Sequence, residues 1–107
     1  MKVVAGGLIF AVILAVGLAA RQADTFTTYG AGAATCATWT EHLKNRPLHD
    51  ADLQWVLGFV SAAGVFAGVE LKVGPNDIDP FITTHCQANP THTITSAAAT
   101  LTGKLRR

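Results

Sequence analysis

The stretch LQWVLGFVSAAGVFAGV, from Leu53 to Val69, contains no charged residue and decides the fold of the chain. A helix that is apolar on nearly all sides lies either at the centre of a helical bundle or inside a membrane. Seventeen uncharged residues that include Gln54, Ser61 and three glycines make a weak membrane span. We therefore predict that this stretch is the central helix of a bundle, with Asp50 or Asp52 as its N-cap.

Two apolar stripes run along this predicted helix. The first consists of Leu53, Val56, Leu57, Val60, Gly64 and Ala67, and the second consists of Trp55, Phe59, Ala62 and Phe66. The second stripe is either another buried face or a face that binds a partner. Glycines at 58, 64 and 68 cost a helix roughly 1 kcal/mol each relative to alanine, so they predict close packing against another backbone, unless Gly68 simply ends the helix.

Three further helices are predicted around the central one. The first starts near Thr35, carries Cys36 and Trp39 on its inner face and is stopped by Pro47. The third starts at Asp79-Pro80 and the last follows Asn89-Pro90, because an Asx residue before proline is typical of a helix start. The predicted fold class is all-α, a small four-helix domain over residues 35–107.

Cys36 and Cys86 are the two cysteines of the chain, and an even count in an exported protein favours a disulfide. This bond would tie the first helix to the third across the central helix. The alternative is a nucleophilic cysteine beside His85, but such a residue needs a thiolate that is kept reduced. We expect the disulfide.

The chain begins with a pattern that is typical of a secretory signal helix. Lys2 is followed by an uncharged run from Val3 to Ala20, and small residues near Ala19 fit a cleavage site. We predict a signal peptide over residues 1–19, a flexible lead-in over 20–34 and export to the periplasm or the medium. The alternative is an uncleaved leader, which would be the chain's only contact with a membrane.

Composition excludes some functions and gives no support to others. Removal of residues 1–19 would leave seven basic and seven acidic side chains, and such a neutral chain lacks the basic patch that nucleic-acid binding needs. None of the four histidines falls in a zinc-binding or catalytic spacing, so we expect surface or capping roles for them. The acid pairs Asp50/Asp52 and Asp77/Asp79 are interpreted as helix caps. We therefore expect no enzyme activity, no metal and no cofactor.

Four short motifs and an alanine-rich last helix resemble small exported bacterial proteins. The motifs are Tyr29-Gly30-Ala31-Gly32, Cys36-Ala37-Thr38-Trp39, Trp55 to Ser61 and Phe81 to Pro90. Their layout is similar to the Tai-type immunity proteins of type VI secretion, and this resemblance implies a periplasmic helical module that binds a peptidoglycan amidase. A second resemblance is to the HdeA-type acid-stress chaperones, although seven acidic residues would make a weaker protonation switch.

The expected function is therefore a periplasmic protein-binding module, in its most concrete form an immunity-type inhibitor of a cell-wall hydrolase. The alternative is an HdeA-like chaperone. Aromatic side chains supply much of the energy of protein interfaces. The predicted partner-binding residues are Tyr29, Trp39, Trp55 and Phe59. For Trp39 the favoured alternative is packing in the core.

Overall fold

A computed structural model of the chain describes residues 27–106. These residues form a 3-10 helix, Gly30–Ala33, and four α-helices: α1 (Cys36–His42), α2 (Arg46–Ala67), α3 (Pro75–Ala88) and α4 (Ile94–Leu105). The predicted all-α, four-helix domain is confirmed over this range. The predicted signal peptide, the first part of the lead-in and Arg107 lie outside the described residues.

Side-chain caps start three of the helices, at residues other than the aspartates. Thr35 Oγ1 accepts a hydrogen bond from the Thr38 N–H, Asn45 Oδ1 from the Leu48 N–H, and Thr93 Oγ1 from the Ser96 N–H. The central helix α2 therefore starts before Asp50. The predicted capping role of Asp50 or Asp52 is wrong because Asn45 together with Pro47 provides an earlier and complete helix start.

Helix α3 begins five residues before Pro80. Gly74 precedes it and Pro75 occupies its first turn, which a proline fits because the N–H there has no partner within the helix. Pro80 lies inside the helix, so the predicted start at Asp79-Pro80 is wrong. Asn89 caps the end of α3, and the expectation that Asn89-Pro90 starts the last helix is also wrong.

The glycines of α2 have different roles. Gly68 ends the helix with a φ of 70°, in the left-handed region that favours glycine. A Cβ on Gly64 would lie 3.1 Å from the Val69 carbonyl oxygen, so α2 does pack closely against another stretch of backbone at this position. Gly58 faces open space, and the prediction of close packing there is wrong.

The core lies where α1, α3 and α4 pack against the middle of α2. The fully buried side chains with the largest volumes are Trp39, Ile82, Ile94, Val56, Cys36 and Cys86. The Cys36–Cys86 disulfide is present and joins α1 to α3. These two helices contact each other directly, so the bond does not cross over α2 as predicted.

The segments that precede α1 and α4 lie side by side. The Cys36 N–H donates to the His92 carbonyl at 2.7 Å, and the Ile94 N–H donates to the Ala34 carbonyl at 2.9 Å. This antiparallel contact fixes the turn between α3 and α4 next to the disulfide. Among residues 27–106, no helix has both the length and the apolar character that crossing a bilayer requires.

Candidate functional site

Trp39 lies in the core and has no exposed surface. Its indole Nε1–H donates to Thr83 Oγ1 at 3.0 Å, and its ring meets the His49 ring edge-on, with 4.9 Å between centroids. The indole therefore fixes α1 against α2 and α3. The favoured alternative for Trp39, core packing, is confirmed. Its assignment as a partner-binding residue is wrong, because a side chain without exposed surface cannot dock a partner.

Trp55 supports the end of the lead-in. Its indole Nε1–H donates to the Tyr29 carbonyl at 2.8 Å, and its ring stacks on Phe59 with 5.5 Å between centroids. Gly32 is buried against the same ring. Residues 30–33 are thus held on α2 as a 3-10 helix and belong to the domain, which corrects their assignment to a flexible lead-in. Tyr29 is 79% exposed.

A polar network joins α1, α2 and α3 on the side of Trp39. His42 Nδ1 lies 2.6 Å from Asp52 Oδ2, and His49 Nε2 lies 2.9 Å from Asp79 Oδ2. Both aspartates thus accept from a histidine on another part of the bundle, and their interpretation as helix caps is wrong. A carboxylate oxygen can only accept, so Nε2 of His49 carries the proton in its contact with Asp79.

The hydrogen bonds of this network connect the side chains in a different order from those of a catalytic triad. Thr83 Oγ1 donates to Asp79 Oδ1 at 3.3 Å, so the hydroxyl is bonded to the carboxylate and not to an imidazole that could take its proton. The remaining ring nitrogen of His49, Nδ1, is buried and has no hydrogen-bond partner. The contacts hold three helices together and do not activate the threonine.

An apolar groove of about 660 Å³ lies beside the last turns of α2. Leu57 and Gly64 of α2 form one wall, and the connector to α3 forms the other with Val69 and Leu71. Glu70 is the charged residue in its described lining. This composition favours an apolar ligand surface over a charged one.

Three exposed apolar residues surround the end of α2, and we name them the apolar tip: Val65, Phe66 and Val69. Their exposed fractions are 75%, 89% and 47%. Phe66 continues the stripe of Trp55 and Phe59, but it is exposed, whereas those two side chains are partly buried against the core. The second stripe is therefore split: its first half is partly covered and its last half faces solvent.

Of the predicted binding residues, Trp39 lies in the core, whereas Trp55 and Phe59 lie in the middle of α2 and are partly buried. Tyr29 is exposed and directly precedes the 3-10 helix. Phe66 is missing from the predicted set, although its place at the end of the stripe, two residues before Gly68, is the signal that could have identified it. Comparison of the chain with models of protein families, with curated proteins and with solved structures finds no match.

Proposed function

We propose that this chain is an exported, non-enzymatic module that binds another protein through its apolar tip. The observation that carries the proposal is the 89% exposure of Phe66 beside a second exposed apolar residue, Val65. Burying a phenylalanine side chain is worth about 1.5–3 kcal/mol. Aromatic residues that reach a pocket on a partner are the common energetic centres of protein interfaces.

The groove next to the apolar tip supports the same proposal. Its apolar walls would receive a side chain of the partner while Phe66 enters a pocket on the partner's surface. The histidine–aspartate contacts tie α2 to α1 and to α3, and the disulfide joins those two helices, so little conformational entropy is lost on docking. A rigid module of this kind suits a stoichiometric inhibitor.

The resemblance to the Tai-type immunity proteins supports a cell-wall hydrolase, in the first instance a peptidoglycan amidase, as the partner. The buried Cys36–Cys86 disulfide is compatible with a compartment outside the cytoplasm. Mass spectrometry of the native protein tests export: we expect a chain that begins near Ala20 and is about 2 Da lighter than its dithiol form. An intact chain from Met1 with two alkylatable thiols would contradict export.

The binding experiment is a pull-down from periplasmic extract with the wild-type chain, Phe66→Asp and Leu48→Asp. Leu48 is the matched control, because it is also an exposed apolar residue of α2, at 45% exposure, but lies at the opposite end of the helix. We expect the wild type and Leu48→Asp to retain a hydrolase whose activity falls at a one-to-one ratio. Phe66→Asp should lose it while its unfolding transition stays unchanged.

Two other outcomes would contradict this proposal. If Phe66→Asp retained the hydrolase as well as the wild type does, the binding surface would not include the apolar tip. Recovery of many unfolded proteins only below about pH 3, where carboxylates are protonated, would favour the HdeA-like chaperone instead.

A further inference from the structure

His85 on α3 and His92 in the turn before α4 face each other at the surface. His85 Nε2 lies 3.1 Å from His92 Nδ1, and the two ring centroids are 5.2 Å apart. Neither ring takes part in the network around Trp39 or in the apolar tip. The pair is therefore separate from the surface proposed to bind a protein.

Hydrogen bonds to Asn89 fix the positions of both histidine residues. Asn89 Nδ2 donates to the His85 carbonyl at 2.9 Å, and the Asn89 carbonyl accepts from the His92 N–H at 3.0 Å. The His92 carbonyl in turn accepts from the Cys36 N–H, next to the disulfide. These contacts order the backbone of both residues and keep the two rings close together before any ligand arrives, which lowers the entropy cost of binding one.

The nitrogen–nitrogen separation suits two ligands of one metal ion. With metal–nitrogen bonds of about 2.05 Å, a separation of 3.1 Å corresponds to an angle of about 98° at the metal, between the square and the tetrahedral values. We propose that His85 and His92 bind one divalent transition-metal ion through Nε2 and Nδ1, with Cu²⁺ bound more tightly than Zn²⁺ or Ni²⁺. Imidazole suits all three ions, and their general order of affinity places Cu²⁺ first.

The protonation state of the His85 ring fits this role. Burial, the facing His92 and the nearby Lys104 lower the pKa of His85 below 6.5, so its ring is neutral at neutral pH, as a metal ligand must be. One of the two facing nitrogens carries the proton of the hydrogen bond that now joins the rings. Metal binding moves this proton to the other nitrogen of the same ring, and a small rotation of the rings then directs both lone pairs at the ion. Residues 27–106 hold no cluster of three or more metal-ligating side chains, so water completes the coordination of the ion.

The positive charge of Lys104 provides a second test of the histidine pair. Its ammonium lies 5.4 Å from the centre of the Phe81 ring, on which His85 stacks, and its positive charge disfavours a cation at the histidine pair. Lys104→Met should therefore tighten metal binding. The affinity of a metal site elsewhere on the chain would not be changed by this substitution.

The test is titration of the purified full chain with Cu²⁺ alone at about pH 7.5, where free imidazole is neutral. Affinity is measured by calorimetry, and the ligands are identified from the broadening of histidine ring signals in proton NMR spectra. We expect early broadening of His85 and His92, and a loss of affinity of about tenfold or more in His85→Gln and in His92→Ala. His42→Gln removes a histidine outside the pair and should leave the affinity unchanged.

The proposal is overturned if both His85→Gln and His92→Ala bind Cu²⁺ as the wild type does, or if broadening is confined to other residues. Circular dichroism of each variant checks that it is folded. His92 is an exposed residue, so His92→Ala keeps the test valid even if His85→Gln unfolds.

Discussion

Gly32 lies directly against the ring of Trp55, so close that a methyl group at position 32 would overlap the six-membered ring of the indole. The backbone of the 3-10 helix can approach α2 only because residue 32 has no side chain. Thr95 Oγ1 also donates to the Gly32 carbonyl, at 2.8 Å, so α4 holds the same residue from another side. The end of the lead-in is therefore packed between two helices.

Gly32→Ala should release the 3-10 helix from Trp55. The overlap cannot be relieved without moving either the segment or the indole, and overpacking of this kind costs about 1–3 kcal/mol of unfolding free energy. Hydrogen exchange of the Trp55 indole N–H should become faster, since its bond to Tyr29 is lost. Denaturant unfolding measures the first effect and NMR the second.

Gly58→Ala is the matched control, because a Cβ at this position of α2 meets nothing within 4 Å. Alanine should raise the unfolding free energy by up to about 1 kcal/mol, the difference in helix propensity. Equal effects of the two substitutions would mean that Gly32 is not held against Trp55.

The sequence predicts the helical class, the disulfide and the central position of α2, because these follow from periodicity and from cysteine count. The helix starts are predicted less well. Asp79 stands in a typical capping position before proline, yet its carboxylate bonds to His49, which lies 30 residues away. Local patterns cannot reveal a partner that only the packing of α2 on α3 supplies.

The candidate site could be predicted only in part, for a similar reason. Trp39 and Phe66 both lie on apolar stripes, and a stripe does not say how far the neighbouring helices extend. Helix α2 has 22 residues, whereas α1, α3 and α4 have 7, 14 and 12, so none of its neighbours matches it in length. Phe66, in the last turn of α2, is exposed, while Trp39 is buried.

His42→Ala should destabilise the protein through Asp52. The Asp52 side chain is 6% exposed and His42 Nδ1 is its hydrogen-bond partner, at 2.6 Å. Leaving a buried acceptor without a partner costs about 1–3 kcal/mol, and more if it is charged. In denaturant unfolding we expect a loss of this size.

The double variant His42→Ala/Asp52→Asn checks the cause. Asparagine removes the charge at nearly the same volume, so it should restore part of the lost stability. If the double variant is less stable than His42→Ala by the full effect of Asp52→Asn alone, then the two side chains do not interact.

The stability of the protein should fall as the pH decreases below 6.5, in part because of His85. Burial, His92 and Lys104 lower the pKa of His85 in the folded protein from the ordinary value of 6.5. Between the lowered value and 6.5, the unfolded chain binds more protons at this residue, so unfolding becomes more favourable as the pH falls. Above 6.5 the contribution is constant.

Urea unfolding at a series of pH values, with EDTA present to remove metal ions, measures this effect. His85→Gln should show a shallower decline of unfolding free energy below pH 6.5 than the wild type. Lys104→Met removes one of the charges that lower the pKa and should give an intermediate slope. Parallel curves for wild type and His85→Gln would show that His85 does not contribute.

The Cys36–Cys86 disulfide closes a loop with a sequence separation of 50 between two fully buried residues of α1 and α3. In the chain-entropy model, such a cross-link stabilises the fold by about 4 kcal/mol, because it restricts the unfolded chain. The double variant Cys36→Ala/Cys86→Ala should lose unfolding free energy of this size.

The denaturant m-value of the double variant should also rise, because an unfolded chain without the cross-link exposes more surface. If the cross-link acted mainly through packing in the folded core, stability would fall with the m-value unchanged. Urea titration of both proteins therefore distinguishes an effect on the unfolded state from an effect on the contact between α1 and α3.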